Sequence, residues 1–192
     1  MSNSEGIQAV PSLFAFFYEE VSQALRITGC ETTQETEHYI VNLLDGFVRL
    51  SEDHIDEVGF DRPAAKLLEE AMNAEGARRI EVYRRLGDTS LYSCGFFEQK
   101  LSRSAVGTRY YSEVGRTAYR SLSEMISFRE PGSVFKVVYD ELYQKFDDVV
   151  SALRLVGIGK RSDSLVDKWA SGELDDQSMM RAGFWVNEPG QA

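Results

Sequence analysis

Residues 133–156 read SVFKVVYDELYQKFDDVVSALRLV, and within them Phe135, Val138, Leu142, Phe146, Val149 and Leu153 recur at steps of three and four. At about 100° per residue these side chains share one face, so the stretch reads as a long amphipathic helix with a strong core stripe. Just before it, Pro131-Gly132 halts a helical pattern that runs over 108–128, because proline pushes the residue before it away from helical backbone. Two helices joined by a short breaker point to an all-α fold. The rest of the chain agrees, with four prolines in 192 residues and no strict apolar–polar alternation.

Working outward, 89–102 is apolar on nearly every side, with Leu91, Cys94, Phe97 and Leu101 on one face and Tyr92 and Phe96 on another; such a helix is enclosed by its neighbours. A longer pattern opens at Asp61 and Pro63 and runs to about Leu86, where Gly87 reads as its stop and Asp88 as the next N-cap. Thr32 and Glu35 make a capping box for a helix striped by Tyr39, Ile40, Leu43, Leu44, Phe47 and Leu50. The first helix follows Pro11, reaches about Ile27 and carries Leu13, Phe14, Phe17, Val21, Ala24 and Leu25 on one face. Downstream, Gly157 and Gly159 end the long helix, a seventh helix covers 164–170, and charged and small residues after Gly172 mark a loosely structured tail. The expectation is a single-domain bundle of about seven helices over 1–172, with a tail over 173–192 docked on the domain or on a partner.

Composition narrows the function classes. No apolar run approaches the roughly 20 residues that cross a bilayer, and MSNSEGIQAV lacks the basic-then-apolar order of a signal peptide. A cytoplasmic protein without membrane contact is expected. Cys30 and Cys94 read as free, buried thiols. Charge is segregated: over 78–129, nine arginines and Lys100 face five acids, a net +5 in a chain of net −10. The first 77 residues hold 15 acidic against 4 basic side chains, which disfavours a nucleic-acid surface there.

Chemistry-bearing motifs are sparse. Glu35-Thr36-Glu37-His38 has the spacing that places two ligands of a di-iron centre on one helix face, but His38 falls opposite the Leu43, Leu44 and Phe47 stripe. The other histidine, His54, has Ser51 three positions earlier, so no second such motif exists and no metal is assigned. Gly-x-Ser-x-Gly, Gly-x-Gly-x-x-Gly and the P-loop pattern are absent, and Gly157-Ile158-Gly159-Lys160 follows a helix rather than a strand. No cofactor and no catalytic residue is assigned, and the balance leans against an enzyme.

Two sets of residues remain as candidates. On the 61–86 helix, Glu75 and Arg79 fall within the arc of Leu67, Leu68, Ala71, Met72, Val82, Tyr83 and Leu86. Charges on a core face form a structural ion pair or line a ligand pocket, and Glu98, Tyr83, Tyr92, Tyr110, Tyr111 and Tyr119 are its further candidate members. On the 108–128 helix, Arg109, Glu113, Arg116, Arg120 and Glu124 line one face, opposite Tyr111, Val114, Gly115, Ala118, Leu122 and Met125. That face pairs internally, and it is also the candidate surface for a protein partner, together with Phe184 and Trp185 of the tail. Gly115 with Ala118, and Gly95 beside Cys94, mark close helix contacts.

The run Arg85-Leu86-Gly87-Asp88 to Tyr92, then Gly95-Phe96-Phe97, Arg109-Tyr110-Tyr111 and Gly115-Arg116-Thr117-Ala118-Tyr119, resembles a pattern in uncharacterised bacterial all-helical proteins. The resemblance spans 85–120 and implies no activity. The function expected from the residues is binding or adaptor work through the basic–aromatic surface or the tail, with a protein partner or a homodimer. The alternative is a small-ligand sensor or enzyme built on Glu75, Arg79 and Glu98.

Overall fold

The structure, a computed structural model, describes residues 13–49, 64–102 and 107–156. The elements there are α1 (Leu13–Thr28), α2 (Gln34–Arg49), α3 (Ala64–Asn73), α4 (Gly76–Phe96), α5 (Glu98–Ser102), α6 (Gly107–Arg129), α7 (Val134–Gln144) and α8 (Phe146–Leu155). The fold is all-α, as its apolar spacing requires. The expected helix over 164–170, the glycine stop at 157–159 and the tail with Phe184 and Trp185 lie outside the described residues. No described helix is long and apolar enough to cross a membrane.

The two longest helices organise the rest. α4 and α6 form the most extensive pair, α7 packs on α6, α3 on α4, α8 against α4 and α1, and α2 against α1 and α7. Glycines set the distances at this centre. A Cβ on Gly115 would stand 2.5 Å from Cζ of Phe146 and 2.8 Å from Cβ of Ser90, and one on Gly95 would stand 2.8 Å from Cβ of Leu153. The helices therefore approach more closely than any larger residue would allow, as the small residues in the sequence indicated. Around this seam Tyr92, Tyr119, Phe146, Leu86, Leu91, Leu122, Leu142 and Leu153 are fully buried, each contributing roughly 1.5–3 kcal/mol of transfer free energy.

Four boundaries differ from the sequence reading, one of them at Phe97 (φ −120°, ψ 31°), where the expected 89–102 helix divides between α4 and α5. The 61–86 pattern is two helices: Ala74 and Glu75 interrupt it, Glu75 is extended, and Gly76 adopts φ +58°, a left-handed turn that glycine enters without steric cost. Conversely, α4 runs straight through Gly87 and Asp88, which neither stop nor cap a helix. Gly87 is there for packing, since a Cβ would stand 2.9 Å from the Tyr119 ring, and the Asp88 side chain turns to other helices. Finally, 133–156 bends at Lys145 (φ −108°, ψ 21°), giving α7 and α8, while its stripe from Val138 to Leu153 stays buried and Phe135 overhangs the end.

The connection from α1 to α2 is closely specified. Gly29 at φ 66° lets the Cys30 N–H reach Leu25 O at 3.0 Å and the Gly29 N–H reach Arg26 O at 3.2 Å, the paired bonds of a Schellman stop. Thr33, one residue beyond the expected Thr32, caps α2 by accepting from the Thr36 N–H at 3.3 Å. Glu141 of α7 accepts from both the N–H and the hydroxyl of Thr33 at 2.9 Å, so a carboxylate from another helix sits at the positive end of α2. These bonds win over burial and hold the Glu141 carboxyl below the usual range.

Candidate functional site

The interrupted α3–α4 pattern rewrites the pocket expected from the sequence. Glu75, the extended residue just before α4, and Arg79 near its start are both exposed, because the break rotates them off the core face. Arg79 instead lays its guanidinium 5.7 Å from the Tyr83 ring centre. Glu98 opens α5 at the far end of α4, roughly 30 Å away along the helix; its side chain is 51% exposed and pairs with Arg154 at 3.1 Å. Tyr92 is a core residue between Phe47 and Phe96, with ring centres 4.4 and 4.7 Å away, Tyr83 is buried, and Tyr111 is half-buried edge-on to Tyr110. These side chains are not gathered at one place.

The polar centre lies further along α4, at Asp88, about two and a half turns beyond Arg79. The Tyr39 hydroxyl, from α2, donates to Asp88 Oδ1 at 2.7 Å, and the Tyr119 hydroxyl, from α6, donates to the same oxygen at 2.9 Å. Tyr139 of α7 completes the surround, stacked on Tyr119 with ring centres 6.1 Å apart and edge-on to Tyr39 at 5.7 Å. Four helices thus meet at one carboxylate. Burial disfavours its charge, the two hydroxyls and the Arg84 guanidinium partly offset that cost, and the carboxyl is pushed up to about 6. The same burial, with the neighbouring carboxylate, holds Tyr39 and Tyr119 well above the usual phenol range and Tyr139 at about 12. All three phenols stay protonated at any physiological pH.

Sequence reasoning placed Tyr119 in a polar patch but missed Asp88 as its centre, because Gly87-Asp88-Thr89 reads as a helix stop followed by a cap. The signal that could have found it is Arg84-x-x-x-Asp88-x-x-x-Tyr92, a basic, an acidic and an aromatic residue on one face of an uninterrupted helix.

The arginine face of α6 is internally paired. Arg109 meets Glu113 at 2.9 Å, Arg120 meets Glu124 at 2.9 Å, and Arg116 reaches Asp147 of α8 at 3.3 Å. Arg116 and Arg120 also flank Tyr143 of α7, at 6.0 and 5.9 Å from its ring centre. Exposed ion pairs of this kind contribute little to stability, so the face is organised without being consumed by the fold. Eight residues beyond Arg120, about 12 Å along α6, the α6–α7 hairpin ends in apolar side chains: Phe128 is 89% exposed, Phe135 53%, and Val134 and Val137 are also exposed. Phe135 stacks on Tyr139 at 6.1 Å, which joins this end of the hairpin to the Asp88 centre.

Other groups offer less chemistry. Cys30 and Cys94 are free and buried, and burial raises both thiols, Cys94 to about 12, so neither is a ready thiolate. His38 is exposed beside Phe14 and Tyr18, and among the described residues no three His, Cys, Asp or Glu side chains are grouped to hold a metal ion. An open cleft of about 750 Å³ beside α1 is lined by Glu19, Glu31, Glu37 and Arg26 among others, with Ser22 bonded to Glu37 across it. No known family model, curated protein or solved structure matches the chain.

Proposed function

We propose that the chain is a helical protein-binding module and that the end of the α6–α7 hairpin, with the Arg116–Tyr143–Arg120 face further along the same hairpin, is its contact surface. The observation that carries this reading is the concentration of exposed apolar side chains, Phe128, Val134, Phe135 and Val137, within ten residues around one turn. Single exposed apolar residues, such as Ile27 and Met72 here, are ordinary on any protein; several at one turn beside a stacked aromatic suit an interface. The charges around them are of both signs: Arg129 and Glu130 adjoin the turn, and Lys136 pairs with Asp140. Mixed charge suits an apolar protein surface with a polar rim better than a phosphate backbone. Two free, buried thiols are in keeping with a reducing compartment.

The test compares wild type with two double variants in affinity capture from the native cell, each checked for fold by circular dichroism. Phe128→Glu with Phe135→Glu should lose a specific partner, and Arg116→Glu with Arg120→Glu should weaken its capture. An unchanged partner set in the folded phenylalanine variant would remove the hairpin end as the contact surface.

A further inference from the structure

We infer that Asp88 is a proton-operated latch: its protonation state sets how tightly α2 is held against α4 and α6. The geometry assigns this role to one carboxylate. Asp88 Oδ1 receives the hydroxyl of Tyr39 from α2 and that of Tyr119 from α6, so a single oxygen ties three helices together. The ties are unequal in their backing. α6 is fastened to α4 along the glycine seam, whereas α2 packs chiefly on α1 and α7. The Tyr39–Asp88 bond and the contact of Phe47 with Tyr92 are among its links across to α4. α2 is therefore the element that moves when the latch slackens.

The groups facing Asp88 are Tyr39 from α2, Arg84 from its own helix, Tyr119 from α6 and Tyr139 from α7. α3, α5 and α8 also pack on α4, and none of their described side chains is among the groups acting on Asp88. Of the four, the tyrosines stay protonated and Arg84 stays charged throughout the physiological range. Asp88 alone changes state. In the closed packing its carboxyl titrates at about 6, against 3.8 for a hydrated carboxyl, so the closed form holds the proton more tightly than a form in which water reaches the group. Linkage fixes the sign: closed packing is fully favoured at low pH and loses ground as pH rises from 3.8 through about 6. Across that interval the closed-to-open ratio falls by about a hundredfold when opening hydrates Asp88 completely.

Hydrogen exchange of the α2 amides, corrected for intrinsic rates between about pH 4 and about pH 8, tests the latch. In wild type the protection of α2 should fall steeply up to about pH 6 and then level off, and in Asp88→Asn it should be flat. A flat wild-type profile, or the same slope in Asp88→Asn, overturns the inference. If Asp88→Asn does not fold, carboxyl-carbon NMR titration of wild type decides. A carboxyl titrating near 6 whose transition also moves α2 amide shifts upholds the latch; all carboxyls titrating in the ordinary range, or a transition that leaves α2 unmoved, removes it.

Discussion

Single atoms decide much of this protein. Gly115 has no room for a methyl group, with Phe146 and Ser90 both inside 3 Å of where it would stand. Gly115→Ala should therefore cost about 1–3 kcal/mol by overpacking, read as a lower urea midpoint with an unchanged slope, even though alanine is the better helix former. Tyr119→Phe keeps the ring and removes one of the two hydroxyls on Asp88. It should cost about 1–2 kcal/mol at pH 7, where the carboxylate is ionised, and less at about pH 5, where the proton is on. Equal losses at the two values would mean that the bond does not depend on the charge. The sequence spoke unevenly at this scale: Gly115 and Gly95 stood out as small residues on large-residue faces, and both proved to be contacts. Asp88 was hidden because an aspartate after a glycine is also what a helix start looks like, and only its partners from distant parts of the chain distinguish the two.

Elements follow their stripes more faithfully than their punctuation. The buried run from Val138 to Leu153 was legible, as was Pro131-Gly132 between α6 and α7, because an apolar period and a proline leave little choice. Breaks within a helical pattern were not. Glu75 and Arg79 looked like core charges only while 61–86 was one helix; the left-handed Gly76 resets the phase and carries both to the surface. The glycine that should have stopped α4 sits mid-helix against Tyr119, so Gly87→Ala reverses the usual rule. An alanine gains roughly 0.5–1 kcal/mol over glycine in an open helix. Here its methyl presses the ring that holds Asp88, and net destabilisation of about 1 kcal/mol or more is expected by thermal denaturation. At the start of α2, Glu141→Gln should cost about 1 kcal/mol near neutral pH, because the Thr33 donors lose a charged acceptor. The wild-type advantage should vanish as pH falls through the depressed Glu141 value, since the carboxyl is then protonated in both states.

At the scale of the whole molecule, the apolar end of the α6–α7 hairpin separates stability from binding. Phe128→Ser should leave the unfolding midpoint nearly unchanged, within about 0.5 kcal/mol, because its ring already faces solvent. Phe135→Ser should cost about 1 kcal/mol through its lost stacking on Tyr139. Chemical denaturation of the two single variants checks this contrast, and a large loss at Phe128 would show that its ring is covered after all. The basic stretch that dominated the sequence was legible as a face but not as a set of pairs; Asp147 approaches Arg116 from α8, 31 positions away. The order in which these contacts form also follows from the architecture. α6 and α7 are neighbours in sequence, so their packing closes short loops, whereas α1 rests on α8 across more than a hundred residues. The inner hairpin should then nucleate folding, and the two ends of the described chain should meet last. Truncation of Val21 in α1 is expected to speed unfolding and leave the refolding rate almost untouched, while truncation of Leu122 in α6 slows refolding.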